Sequence, residues 1–243
     1  MRHDQRAPSQ LRPCTIDPGF ITRALGSALI RTGDTRVICT ASVEERPPAW
    51  LREGGWVTAQ YAMLPGATTP RGRRDPGGRG KEIQRLVGRS LRAAVDLSAL
   101  VGPEGEALSI VCDCDVIEAD GGTRTASITG AYVALRLALR RLQAQGRLAR
   151  DPVRAPVAAV SVGLVRLSEG AEPIAVVDLD YHEDSGAVVD LNVVSLRGGG
   201  LVEVQGTGED GSFSRAQLDA MLDLAEAGIE QLHARQAEVL DGV

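Results

Sequence analysis

Two strand-like runs, Ser27 to Arg31 and Arg36 to Val43, flank Thr32-Gly33-Asp34-Thr35, and the Gly33-Asp34 tip predicts a β-hairpin. Pro47, Pro48 and Gly54-Gly55 bound a loop ahead of another strand, Trp56 to Leu64. The apolar period then lengthens. Ile83, Leu86, Val87, Leu91 and Val95 make one stripe of a helix from Lys81 to Ala99. A strand from Ala107 to Ile117 leads through a glycine pair into a helix from Thr123 to Gln143, whose first half is small or apolar and therefore buried. Strands follow at Ala155 to Leu167, Ile174 to Tyr181, Ala187 to Leu196 and Leu201 to Gln205. Ser214 with Gln217 forms a capping box for a closing helix to Ala237. Two stretches lack this order: Met1 to Arg12 reads as a loosely held start, and Pro65 to Gly80 as an exposed loop that orders on a ligand.

Length and composition add bounds. A chain of 243 residues with 43% hydrophobic content can bury one sizeable core, so residues 1–243 read as a single compact unit, with pseudo-duplication an expectation. No run approaches the eighteen apolar residues of a membrane span, and no basic start precedes an apolar segment; a cytoplasmic protein without membrane association is expected. Cys14, Cys39, Cys112 and Cys114 lack metal or disulfide spacing and read as reduced, buried thiols.

The net charge of -5 argues against indiscriminate polyanion binding, yet residues 71 to 92 concentrate cations: Arg71, Arg73, Arg74, Arg79, Lys81, Arg85, Arg89 and Arg92 against Asp75 and Glu82. Such a patch can neutralise backbone phosphates without reading sequence. Arg85, Arg89 and Arg92 recur at helical spacing on one face, which serves equally as a solvated surface.

The run from Ala119 to Gly130 carries the sharpest chemistry. Gly121-Gly122 followed by Thr123 and Arg124 at a helix start has the makings of a phosphate cradle, since glycines admit an anion to backbone N–H groups and a guanidinium grips two oxygens. The same residues would also make a plain Gly-Gly turn with Thr123 as helix N-cap. Asp178, Asp180, Glu183, Asp184 and Asp190 crowd together in the manner of a hard-cation site or of a polar hairpin turn. On a straight strand Asp184 and Asp190 would stand about 20 Å apart, so a shared ion requires a bend at Ser185-Gly186. An arginine-glycine cradle plus a carboxylate metal site is what displacement at phosphorus needs, and a phosphate nucleophile requires no histidine base. Gly206 to Gly211 matches a dinucleotide fingerprint but lacks the strand that must follow, and is read as an ordinary loop.

Gly33-Asp34-Thr35, Glu82-Ile83-Gln84-Arg85-Leu86, Cys112-Asp113-Cys114-Asp115-Val116, the Gly121 to Gly130 run, Glu183-Asp184-Ser185, Asp190-Leu191-Asn192-Val193-Val194 and Val202 to Thr207 together resemble the RNase PH family of phosphorolytic 3′-to-5′ exoribonucleases, in family order over most of the chain. The resemblance implies an α+β fold of two related units like ribosomal protein S5 domain 2, a hexameric ring built as a trimer of dimers, and trimming of tRNA precursors with inorganic phosphate as co-substrate and Mg²⁺ (or Mn²⁺) as cofactor. By the same resemblance Arg85, Gly122, Thr123 and Arg124 bind phosphate, Asp184 and Asp190 are the catalytic and metal-holding pair, and Arg71, Arg73, Arg74, Arg79 and Arg89 hold RNA. The chain departs from the family at Leu64-Pro65-Gly66-Ala67-Thr68-Thr69-Pro70, where relatives commonly have an arginine and a His-Thr-Arg run. Two other classes fit less well: a silent ring subunit, which would have lost these acids and arginines, and a small-molecule kinase, which needs an ATP loop that is missing.

Overall fold

Among the described residues, nine strands gather into two sheets with helices between and beside them. The computed structural model describes residues 2–44, 47–74, 77–168 and 170–243; Met1 of the N-terminal stretch and Asp75 of the arginine-rich loop lie outside the described residues. The first sheet has the order β1 (Cys14–Pro18), β2 (Gly26–Thr32), β3 (Thr35–Val43), β5 (Ser109–Glu118), β4 (Trp56–Met63). All neighbours are antiparallel except β4 and β5, which are parallel and joined through α1 (Gly77–Ala93), as a parallel pair requires. The second sheet runs β7 (Ile174–Val177), β6 (Val157–Val165), β8 (Val189–Leu196), β9 (Gly200–Gly208), all antiparallel. This is the mixed α+β class that the family resemblance implied.

Helix α2 (Thr123–Ala144) packs on β2 and β3 of one sheet and on β6 of the other, while α4 (Arg215–Asp241) lies on the second sheet and reaches β1. The small residues in the first half of α2 serve close approach: a side chain at Gly130 would collide with Ile30 and with the Cys39 sulfur, and one at Gly26 would strike the α2 backbone at Ala134 and Ala138. Cys39 and Cys114 face each other across β3 and β5, both donating to the Ser127 carbonyl, and all four thiols are free. The Ser214–Gln217 box closes in both directions at the start of α4. No helix among the described residues is long and apolar enough to cross a membrane.

Four expectations shift. The strand expected to reach Tyr181 stops at Val177, because Asp178 turns into the left-handed region (φ 55°) and a one-turn helix, α3 (Tyr181–Asp184), follows. Helix α1 starts at Gly77 and ends at Ala93, shortening the exposed loop, and a short 3₁₀ turn at Pro65–Ala67 tucks its first residues under β5. Gly206 and Gly208 sit at the end of β9, rather than in a loop. Finally, the N-terminal stretch is anchored: Arg2, Arg6 and Arg12 are buried, at 2%, 7% and 6% exposure, against acids of the second half.

Candidate active site

The loop between β5 and α2 is built from both ends. Thr35, at the hairpin tip, accepts from the Asp120 N–H (2.9 Å) and donates to the Gly121 carbonyl (2.6 Å), which gives the Gly33-Asp34-Thr35 motif its task. Gly121 and Gly122 both have left-handed φ (70° and 66°), where a side chain is strained. At Gly121 a side chain is also excluded by space, since its Cβ would lie 2.7 Å from the Leu179 carbonyl oxygen. Gly122, not Thr123, is the N-cap of α2, and no side chain caps that end; the Thr123 hydroxyl pairs instead with the Tyr61 hydroxyl at 2.9 Å. The first-turn amides of α2 thus face outward with the helix dipole behind them, an arrangement suited to an anion. Arg124 lies alongside, its Nη1 donating to Gln205 Oε1 (3.0 Å), with Glu82 3.7 Å away.

Opposite this loop the five clustered acids divide into two sets. Arg2 grips Glu183 with a two-pronged contact (2.6 and 2.5 Å), and also donates to the carbonyls of Val177 and Asp178. Arg12 holds both oxygens of Asp178 (2.7 and 3.1 Å) and extends Nη1 to the Asp120 carbonyl at 2.5 Å, so one guanidinium spans the acid turn and the glycine loop. Asp180 caps α3, accepting from the Glu183 N–H at 3.0 Å, and meets His3 and Arg6. Asp178 and Glu183 are thereby saturated by guanidinium groups, and Asp180 lies outside the lining of the main cavity, so none of the three joins Asp184 and Asp190 there. Asp184 and Asp190 are the remainder.

The bend that would bring those two together is present. After α3 the chain folds at Ser185, whose N–H reaches the Tyr181 carbonyl (3.0 Å), and β8 begins at Val189, so both carboxylates line one cavity of about 400 Å³. Burial raises the pKa of both. Asp190 is pushed up to about 6, first by burial and then by the charge of Asp184, with Arg124 and Arg79 opposing. Asp184 is raised by burial against the same two arginines. Asp190 Oδ1 is buried with no hydrogen-bond partner among the described residues. An unpaired buried carboxylate oxygen beside a second carboxylate is a donor set that fits a hard divalent cation.

The same cavity is lined by Gly122, Thr123 and Arg124, and by Arg73, Arg74 and Arg79. Arg85 and Arg89 fall elsewhere, in an adjoining cavity of about 390 Å³ with Lys81, Glu82, Glu203 and Gln205. Gln205 stands between the two, accepting from Arg124 and donating to Glu82 (2.7 Å). Arg89 is paired with Glu203 (2.5 Å), while Arg71 lines neither cavity. Arg92 leaves the expected exposed arginine face: it stacks on Trp56 (4.5 Å) and donates to the Val57 carbonyl. Sequence reading missed Tyr61, Tyr181 and Asn192, which also line the main cavity. Asn192 was within reach, because it stands two residues past Asp190 on one strand and so shares its face; Tyr61 and Tyr181 gave no local signal.

Residues 10–140 match the model of the 3′ exoribonuclease family, domain 1, and residues 155–228 that of domain 2. The chain is 50% identical over 246 residues to Ribonuclease PH of Bacillus pumilus, covering 98% of each, and 54% identical over 244 residues to Ribonuclease PH of Corynebacterium efficiens, covering 97% of this chain and 95% of that one. Among solved structures it resembles the Archaeoglobus fulgidus exosome with RNA bound to the active site (TM-score 0.81, 26% identity, 96% of this chain and 92% of that chain). It shares the fold of rice Rrp46 at a TM-score of 0.77, 18% identity, 98% of this chain and 100% of that chain.

Proposed function

The chain belongs to the 3′ exoribonuclease family, and from that premise we infer that it is a phosphorolytic 3′-to-5′ exoribonuclease that trims tRNA precursors. Inorganic phosphate attacks the last phosphodiester, the bond to the leaving 3′ oxygen breaks, and the products are a shortened RNA with a free 3′ hydroxyl and a nucleoside 5′-diphosphate. The observation that carries this reading is the single cavity shared by the Gly122–Arg124 helix start and the Asp184/Asp190 pair.

The attack brings two anions together, and repulsion between unit charges at 4 Å is roughly 4 kcal/mol at an effective dielectric near 20. Gly122, Thr123 and Arg124 hold the incoming phosphate by backbone N–H groups and a guanidinium fixed in advance, so no reorganisation is needed when charge builds. Arg85 joins this phosphate set on family resemblance, from the neighbouring cavity. Asp184 and Asp190 would hold the Mg²⁺ (or Mn²⁺) ion, for which the partnerless Asp190 oxygen is the supporting observation. When bound, that ion neutralises the phosphoryl oxygens. With no cation bound, burial and the neighbouring Asp184 raise the Asp190 pKa to about 6, a local excess of negative charge that the ion would offset. Arg73, Arg74 and Arg79 in the cavity wall, with Arg71 and Arg89 outside it, grip the RNA backbone.

Residues 1–243 form one folding unit in this reading, supported by α2 packing on both sheets and by the N-terminal arginines reaching the second half. Six copies close a ring as a trimer of dimers, for which exposed Leu201 and Val204 on the edge strand β9 offer apolar surface of the kind a subunit covers. Its place is the cytoplasm. The test is to supply labelled orthophosphate, Mg²⁺ and a 3′-extended tRNA precursor: label appearing in nucleoside diphosphates is expected, whereas monophosphates formed without phosphate would mean a hydrolase.

A further inference from the structure

Of the three histidines, His233 is buried on the inner face of α4, and the other two, far apart in sequence, meet on the surface. The rings of His3 and His182 lie with centroids 4.5 Å apart. His3 Nε2 is 2.6 Å from Asp180 Oδ2. One ligand atom from each of His3, Asp180 and His182 lies within 4.8 Å of the others. A tetrahedral ion with bonds of ~2.1 Å needs donors roughly 3.4 Å apart, a gap that rotation of two exposed imidazoles closes.

The donor set selects the ion. Two imidazole nitrogens and one carboxylate suit borderline cations such as Zn²⁺, whereas Mg²⁺ prefers an all-oxygen shell and keeps its waters. The carboxylate is already oriented from behind. Asp180 Oδ1 accepts from the Glu183 N–H, and Oδ2 faces Arg6 Nη2 at 3.5 Å, so a bound cation would share this carboxylate with one guanidinium. Both imidazoles have solvent-facing surface, His3 with 43% of its side chain exposed, which leaves an entry path and an open fourth position for water.

We propose that His3, Asp180 and His182 form a second metal site, for a divalent cation of the Zn²⁺ class, separate from the Asp184/Asp190 pair. Its occupancy clips the N-terminal segment to the turn that carries Tyr181 and Asp184. Neither histidine lines the catalytic cavity, so the site does not depend on the phosphorolytic reading.

The experiment uses the untagged full chain, stripped with chelator and titrated with Zn²⁺ against a chromogenic competitor, with thermal unfolding followed in parallel. The expected result is one Zn²⁺ per chain at micromolar affinity or tighter, an unfolding midpoint that climbs with Zn²⁺, and no competition from millimolar Mg²⁺. A His3→Gln/His182→Gln variant should bind at least tenfold more weakly and lose the midpoint shift, while melting like the parent in chelator. An Asp184→Asn/Asp190→Asn variant should keep the site intact. Absence of saturable binding in the parent, equal affinity in the histidine variant, or loss of Zn²⁺ only in the aspartate variant would each overturn the proposal.

Discussion

Within thirteen residues the chain holds two sets of acids with opposite fates. Asp178, Asp180 and Glu183 are buried and each is met by a guanidinium or imidazole from the N-terminal segment. Asp184 and Asp190, a few residues on, receive no such partner, and burial together with their mutual charge raises their affinity for protons. A buried carboxylate gripped on both oxygens by a guanidinium, as Asp178 and Glu183 are, is inert scaffold; the same group without one holds an unmet demand that a cation or a proton can satisfy. What separates structure from chemistry here is the supply of partners from residues 2–12.

That contrast can be tested from both sides. Removing a scaffold partner has the largest effect: Arg2→Ala or Arg12→Ala strips a buried acid of its closest guanidinium, leaving only the longer contact to Arg6, and should lower unfolding stability by about 3–5 kcal/mol in urea titrations. A loss under about 1 kcal/mol would place these acids in the same class as Asp184. Next comes the reactive set, where Arg124→Ala or Asp184→Asn should cut phosphorolysis by about 10²–10³-fold while the variant stays folded at the assay temperature. A variant that loses activity only by melting would contradict this.

A smaller effect carries the opposite sign. Because the folded state raises the Asp190 pKa to about 6, it holds that proton more firmly than the unfolded chain does. The group therefore favours folding most below the ordinary carboxylate range, and that contribution is lost as pH rises through about 6. In chelator at neutral pH, Asp190→Asn should accordingly stabilise the fold by on the order of 1–2 kcal/mol while abolishing activity. No gain on comparing melts at acid and neutral pH would show that Asp190 has a partner. The weakest effect belongs to the loop arginines of the cavity wall: Arg73→Ala with Arg74→Ala should reduce the salt slope of RNA binding by about two and spare short-oligonucleotide cleavage. An unchanged slope would remove these arginines from the RNA path.

How much of this was legible depended on how local its cause was. The hairpin tip at Gly33-Asp34, the Ser214–Gln217 box and the glycine-threonine-arginine start of α2 are each set within a few residues, and sequence spacing located them. The N-terminal segment was misread as loose because Arg2, Arg6 and Arg12 follow neither strand nor helix period, and their partners lie in the distant 178–183 turn. The early end of β7 was hidden for a related reason. A left-handed Asp178 is stabilised by Arg12 and Arg2 rather than by its neighbours in sequence. The separation of Arg85 from Arg124 depends on the placement of Gln205, a β9 residue whose side chain no spacing rule reveals.

The tight seating of α2 carries a consequence for binding. A rod clasped at mid-length, by Gly130 on Ile30 and Cys39 and by the Gly26 backbone on Ala134, has no play at its tip. Its leading amides are therefore held in place before an ion arrives, so this part of the site requires no ordering on capture.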